Sequence, residues 1–547
     1  MNDRFLLALS LLVWALFLAT PCTAPAAEDY WPDDHWRTAT PESQGVSSDI
    51  LADMMAQLWQ KNLQVDSVLI VRNGHVVLDT YQYPRTPDMK HDIYSCTKSI
   101  SSTLIGIAID KGYIQPVHQP MLGFFPHKAP RNTDRRKQAM TLADVLQMAT
   151  GLNCRDSIYH DWAGLRAMRG STDWVQYMLD LPMVEKPGVR FDYCNGASFL
   201  LTAIIQEATG QSGLAFAQEH LFRPLGIHDI DWPANSRGQT IGWGQLHMRP
   251  RDMARFGYLF LQKGRWKGRQ VVSARWVAEA TRQHIPVGRQ SGYGYQWWVM
   301  DSGDYMAIGY GGQRIYISPE NNMVVVFTAR LNKLTRFLPA NLLQRYILPA
   351  VKSDRPLPPN ETAFNRLTSL DRFWQTADYV ARDAKRQALA PGPARPQWQR
   401  YRNKRLGFSF VYDADLDDSG VKRAPPVLFQ KSGLTGFPVV TVVGDDIPDG
   451  LELGDSEDYL VGQLAQTRGI SDIQIKHKEI MRLPDGSSGN YCQLKMKYLG
   501  FNFSAYGMVA YRADKLIGVM AVGGGLEAPF ADLEHMVRSL RLEKSQP

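Results

Sequence analysis

The chain has 547 residues, more than a single hydrophobic core usually serves, so two domains are expected. Hydrophobic residues make up 44% and charged residues 21%, the composition of an ordinary soluble globular protein. The formal charge of +7 is mixed along the chain with no long lysine or arginine block, which argues against a nucleic-acid partner and leaves at most a general affinity for anionic envelope surfaces.

Residues 1–26 carry Arg4, an apolar run over 5–19 and the small-residue pattern Ala24-Pro25-Ala26, which reads as an export signal cleaved near Ala26. A retained N-terminal anchor is the competing reading. Cys22 follows Ala19-Thr20-Pro21, a poor context for lipidation. No stable transmembrane segment is expected after cleavage. The remaining cysteines, Cys96, Cys154, Cys194 and Cys492, allow three complete pairings, and an oxidising compartment permits them without ranking them. No C-x-x-C or histidine cluster has metal-site spacing, so neither metal nor cofactor is expected.

Helical periodicity runs over 47–62, and 65–81 reads as two strands joined by a turn at Asn73-Gly74. An apolar helix is expected over 100–109, ended by Lys111-Gly112, with Ile100, Leu104, Ile107 and Ala108 on its buried face. Residues 113–190 are rich in turns, with short helical pieces. A second apolar helix is expected over 196–208, and further helices over 250–262 and 273–282. The run 293–298 has strand composition, and 304–317 with 323–329 resembles a hairpin, followed by a closing helix over 338–347. These elements make an α+β domain over 27–352, with an antiparallel sheet flanked by helices and a mostly helical part. Two proline-rich breaks bound a linker over 353–400 with a helix over 368–389. Residues 401–547 read as strands, with helices near 455–467 and 529–540, giving a second, smaller α+β domain.

The residues that bear chemistry begin with Ser95-Cys96-Thr97-Lys98, at the start of the first apolar helix. Residues three apart share a helix face, so Lys98 can reach Ser95. A serine hydroxyl becomes a useful nucleophile when an adjacent group takes its proton. The pattern S-x-x-K is common, however, and by itself is more often surface decoration. Tyr193-Cys194-Asn195 directly precedes the second apolar helix: a tyrosine can shuttle a proton, and an amide can orient a lysine or hold a substrate carbonyl. Gly309-Tyr310-Gly311-Gly312-Gln313 lies in the late hairpin, where glycines let backbone approach a ligand and an N–H can join that of Ser95 in meeting an oxyanion.

In order and approximate spacing these three elements resemble the serine beta-lactamase and penicillin-binding protein superfamily, most closely its class C-like and esterase branches. Thr40-Pro41-Glu42-Ser43-Gln44-Gly45, the segment 141–148 and the segment 242–255 are similar to the 6-aminohexanoate-dimer hydrolase group. The resemblance covers roughly residues 40–350. It implies Ser95 as the acylated nucleophile, Lys98 as its proton acceptor and Tyr193 as proton shuttle, with Asn195, Tyr310, Gly312 and Gln313 positioning substrate or completing the oxyanion site. Either neutral Lys98 or a Tyr193 phenolate is compatible with it as the base. Where the superfamily usually carries lysine or histidine in the third motif, this chain has Tyr310. The cation for a substrate carboxylate is therefore missing, which favours an uncharged ester or amide. A D-amino-acid peptidase or weak beta-lactamase is the alternative, and a non-catalytic cell-envelope binding protein the alternative of another class.

Trp162 and His247 are candidate pocket walls, His247 by contacting substrate or bracing the wall, each set against ordinary packing or hydrogen bonding. Cys96 and Cys194 adjoin the catalytic candidates, but cysteine is by habit a small core residue. Gly523-Gly524-Gly525 lacks the lysine of a phosphate loop. Residues 405–543 faintly resemble the small domains of the PsbP and Mog1 type; such a domain could bind an envelope partner, shape the substrate entrance or simply stabilise the assembly.

Overall fold

A computed structural model describes residues 31–32, 35–60, 63–156, 162–287, 291–332 and 335–376 and, beyond them, chiefly strands between 398 and 542. The main body is an eight-stranded antiparallel sheet with helices on both faces. Its strands are β1 (Val65–Arg72), β2 (His75–Tyr81), β3 (Ile285–Pro286), β4 (Ser291–Tyr293), β5 (Trp298–Met300), β6 (Tyr305–Ile308), β7 (Arg314–Ser318) and β8 (Met323–Ala329), in the order β2-β1-β8-β7-β6-β5-β4-β3. Five helices matter most: α1 (Ser48–Gln60), α2 (Thr97–Asp110), α3 (Asn195–Thr209), α4 (Pro250–Leu261) and α5 (Glu361–Trp374).

The hairpin β1–β2 closes at Asn73-Gly74, both with positive φ (51° and 76°), the backbone that a two-residue turn between twisted strands requires. Strands β1 and β8 are buried on both faces, so Val68-Leu69-Ile70-Val71 and Met323-Val324-Val325-Val326-Phe327 read as unbroken apolar runs rather than alternating ones. One face carries Leu69, Val71, Ile315 and Val326 into the larger core, with α2, α3 and α4; the other carries Val68, Ile70, Val325 and Phe327 into a second core, with α1 and α5. Helix α4 lies close on the sheet, because a Cβ at Gly257 would stand 2.7 Å from Val324 and 2.9 Å from Ile315.

Helix α2 is the centre of the larger core. Every residue from Thr97 to Ala108 is buried, so burial extends beyond the expected apolar face to the whole circumference, including the polar residues Thr97, Lys98, Ser99, Ser101, Ser102 and Thr103. Several of those polar residues are bonded: Ser99 Oγ donates to Gln296 O at 2.7 Å and Ser101 Oγ to Gly242 O at 2.8 Å. A helix enclosed in this way fixes the direction of its first turn.

Three expected elements differ. The run 293–298 is not one strand: β4 ends at Tyr293, Gln296 takes φ 65°, and β5 begins at Trp298. Residues 304–317 hold two strands, β6 and β7, parted by the turn at Tyr310–Gly312. The helix expected over 368–389 starts earlier, as α5, and packs into the second core through Leu367 and Trp374, with Phe373 edge-on to Trp59 at 5.4 Å. Residues 377–397 lie outside the described residues, as do 1–30 and nearly all of the helices expected near 455–467 and 529–540.

The C-terminal strands form a seven-stranded antiparallel sheet and a three-stranded one. The long strands Ile470–Arg482, Ser488–Tyr498, Phe501–Arg512 and Lys515–Gly523 pair in succession, burying Cys492, Leu494, Met508, Val509, Ile517 and Val519. The chain is thus α+β in its main body, with a smaller sheet domain beyond it. Among the described residues no helix is long and apolar enough to cross a membrane.

Candidate active site

Ser95 sits in a single 3-10 turn, Tyr94–Cys96, that leads directly into α2. Tyr94 adopts φ 46°, a left-handed conformation that costs a residue with a Cβ about 1 kcal/mol. Two contacts hold it there: its N–H donates to Asp92 Oδ1 at 2.7 Å, and its carbonyl accepts from Thr97 Oγ1 at 2.6 Å. The strained residue lies immediately before the candidate nucleophile, where such strain commonly serves to present a side chain.

Lys98 is 1% exposed. Its Nζ faces three oxygens: Trp243 O at 2.7 Å, Asn195 Oδ1 at 2.8 Å and Ser95 Oγ at 3.2 Å. Burial lowers its pKa from 10.5 to about 7, against the opposing pull of the Asp156 carboxylate and the Cys96 sulfur. Two of the three partners are amide oxygens that can only accept. Neutral Lys98 therefore spends its two N–H groups on Asn195 and Trp243, and its lone pair is left facing Ser95.

Tyr193 completes the cluster, its hydroxyl donating to Ser95 Oγ at 2.9 Å. Burial pushes its pKa well above the ordinary value, and the Ser95 hydrogen bond only partly opposes this. Lys98 Nζ stands 5.1 Å from the ring centroid. Near neutral pH the tyrosine is a phenol and the lysine is the group that titrates. Of the two bases left open by the resemblance, the surroundings of Ser95 favour the lysine.

Asn195 opens α3 and is 3% exposed. Its backbone N–H and its Nδ2 both donate to Asp156 Oδ2, at 2.9 and 3.0 Å, which turns the amide oxygen to Lys98. Sequence reasoning missed Asp156 and the Trp243 carbonyl: a lone aspartate in a turn-rich stretch carries no pattern, and a backbone carbonyl has none to carry. Cys154 and Cys194 form a disulfide with Cα atoms 5.8 Å apart, while Cys96 and Cys492 are free and buried. Cys96 and Cys194 are both packed in the larger core, Cys194 with the added disulfide. Among the described residues Cys154, Asp156 and Cys194 are the one place where metal-ligand types converge, and there the two sulfurs are bonded to each other.

The third motif lies on the other side of the Ser95 turn. Tyr310 is 50% exposed and meets Tyr94 edge to face at 5.6 Å. Gly312 has φ 100°, and a Cβ there would stand 2.6 Å from Leu331, so only glycine fits. The Gln313 side chain is turned away from substrate duty. Its Nε2 donates to Ala329 O at 2.6 Å and Tyr310 O at 3.1 Å, and its Oε1 accepts from Ala329 N at 3.2 Å, so any contribution to an oxyanion comes from its backbone.

Trp162 is brought to the cluster, with its ring 6.1 Å from that of Tyr193. His247 pairs with Asp92 across a short two-stranded ladder and bonds Gln245 O at 3.1 Å. It lines a cleft of about 510 Å³ beside Tyr94 and Tyr310, together with Lys90, His91 and Arg330. Three cations of that cleft face aspartates: Lys90 pairs with Asp229 and Asp231 at 2.6 Å and Arg330 with Asp66 at 2.8 Å, whereas Arg85 stands 3.6 Å from Asp66, its Nε without a hydrogen bond among the described residues.

The 6-aminohexanoate-dimer hydrolase of Paenarthrobacter ureafaciens is 26% identical over 314 residues, covering 53% of this chain and 79% of that protein. Among solved structures, the octameric penicillin-binding protein homologue from Pyrococcus abyssi has a TM-score of 0.46 at 16% identity, covering 86% of this chain and 99% of that one. A beta-lactamase/D-alanine carboxypeptidase from Yersinia pestis, complexed with citrate, has a TM-score of 0.45 at 18% identity, covering 55% and 99%. The sequence family described as Beta-lactamase matches residues 48–347, more than half of the chain. Because that match runs from α1 past β8 and takes in Ser95, Lys98, Tyr193 and the glycine turn, the chain belongs to the beta-lactamase family, hydrolases of the beta-lactamase and penicillin-binding protein fold.

Proposed function

We propose that this protein is an exported serine hydrolase that cleaves an uncharged ester or amide through an acyl-enzyme on Ser95. The observation that carries the reading is the position of buried Lys98 Nζ, 3.2 Å from Ser95 Oγ with Asn195 Oδ1 and Trp243 O as its other partners, from which a neutral lysine turns its lone pair to Ser95. Lys98 takes the serine proton as Oγ bonds to the substrate carbonyl carbon. The backbone N–H groups of Ser95 and Gln313 receive the developing oxyanion, each such donor being worth about 3 kcal/mol. The Tyr193 hydroxyl gives a proton to the leaving group as the carbonyl re-forms, and Lys98 restores it. Water then gives a proton to Lys98 as its oxygen bonds to the acyl carbon, and that proton passes to Ser95 Oγ as the C–Oγ bond breaks, releasing the acid and free Ser95.

Tyr310 supports an uncharged substrate, since its motif position carries the carboxylate-holding cation in the resembling enzymes, and of the cations beside it Lys90 and Arg330 are paired closely with aspartates and Arg85 more loosely. Export is supported by the Cys154–Cys194 disulfide, which persists in oxidising compartments. Residues 1–26 are proposed as the signal, 27–352 as the hydrolase domain, 353–400 as the connection and 401–547 as a domain that meets an envelope partner or shapes access.

The test sets short-chain nitrophenyl esters, linear amides, D-amino peptides and a chromogenic cephalosporin before the purified protein and its Ser95→Ala variant. Esters are expected to turn over fastest, a fluorophosphonate to label Ser95, and kcat/KM to fall as pH drops through about 7, where Lys98 gains its proton. Undiminished turnover by Ser95→Ala refutes the acyl-enzyme. Preference for the cephalosporin or the D-amino peptide refutes the uncharged substrate and favours the peptidase or beta-lactamase reading.

A further inference from the structure

We propose that Asp156 is a positioning residue of this reaction, fixing the Asn195 amide so that its oxygen, not its nitrogen, faces Lys98. The proposal rests on the reading of Lys98 as the base.

Asp156 is 9% exposed, and both of its oxygens are used. Oδ1 accepts the Leu165 N–H at 2.8 Å, and Oδ2 accepts both the backbone N–H and the side-chain Nδ2 of Asn195. A flipped amide would set its oxygen against this carboxylate and its NH₂ against the lysine, so both contacts oppose the flip. The tie is covalent as well. Cys154, two residues before Asp156, is bonded to Cys194, the residue just before Asn195, so the carboxylate and the amide are held by the same short bridge. If the amide turned, Lys98 would lose one of its two obligate acceptors, and its lone pair would no longer be directed to Ser95.

The carboxylate also acts by its charge. The groups around the Lys98 ammonium are the Ser95 hydroxyl, the Tyr193 phenol, the Asn195 amide, the Trp243 carbonyl and the Cys96 thiol in the turn before its helix; Asp156 is the carboxylate that favours its protonated form. Removing that charge makes the ammonium harder to keep. The acid limb of activity then moves to lower pH, which a purely structural contact does not bring about.

The variants are Asp156→Asn and Asp156→Glu, assayed with p-nitrophenyl butyrate across pH, beside Ser95→Ala and Lys98→Ala, with circular dichroism to verify folding. For Asp156→Asn the acid limb of kcat/KM is expected about one pH unit below that of the wild type, and the plateau about tenfold lower. Asp156→Glu keeps the charge, so its plateau falls while its limb stays. An unmoved limb in folded Asp156→Asn overturns the proposal, as does loss of the fold in both variants, which makes Asp156 a framework residue only. Activity retained by Ser95→Ala or Lys98→Ala instead overturns the underlying reading of the site. Inactivity of those two with a wild-type limb in Asp156→Asn overturns the positioning role alone.

Discussion

Lys98 is the residue on which stability and chemistry conflict most directly, and Lys98→Met exposes the conflict. Burial takes the ammonium from 10.5 to about 7. At 1.36 kcal/mol per unit, the folded protein carries about 5 kcal/mol of destabilisation wherever Lys98 is protonated in both states. The folded state holds this proton less tightly than the unfolded one, so between pH 7 and 10.5 the unfolded chain binds more protons and stability rises with pH. The cost is present in full below that window and vanishes above it. Methionine removes the titration but leaves Asn195 Oδ1 and Trp243 O without their donor, at about 1–3 kcal/mol each. The two effects nearly cancel at pH 6. Their pH dependence does not cancel, and from pH 7 to pH 9 the wild type should gain about 2 kcal/mol on the variant. Urea unfolding of both proteins at pH 6, 7, 8 and 9, followed by intrinsic fluorescence, measures the difference. Parallel curves that keep a constant gap across the series refute the claim that Lys98 is buried at the expense of its charge, and with it the claim that it serves as a neutral base.

Tyr193→Phe keeps the ring beside Trp162 and Phe191, at 6.1 and 6.5 Å, and deletes only the 2.9 Å hydrogen bond to Ser95. Ester turnover should fall about a hundredfold or more, with unfolding free energy within about 1 kcal/mol of wild type; a variant with normal turnover removes Tyr193 from the reaction. Replacing Cys154 and Cys194 together by alanine opens a cross-link that spans 40 residues, worth about 4 kcal/mol by chain entropy. Urea titration measures that loss, and equal stability of the variant and the oxidised protein contradicts the bond.

Local pattern determined much of this protein. The Asn73-Gly74 hairpin, the apolar runs of β1 and β8, and the lengths of α1, α2, α3 and α4 follow from turn chemistry and periodicity, which act over a few residues. The spacing of Ser95 and Lys98 is likewise local: three residues along a helix place them on one face in any fold. The breaks at Gln296 and Tyr310–Gly312 were hidden, because positive φ at a glutamine, or a turn inside a glycine-containing strand pattern, is imposed by the neighbouring strands. The side chain of Gln313 likewise could not be placed until β8 lay beside it. Tertiary structure alone decided the pairing of Cys154 with Cys194, the arrival of Asp156 behind Asn195 and the closure of Trp243 O on Lys98. It also decided the ionisation of the lysine. A side chain's charge state depends on how much water the rest of the molecule removes from it and which dipoles are put in water's place, and neither quantity exists until distant segments have met.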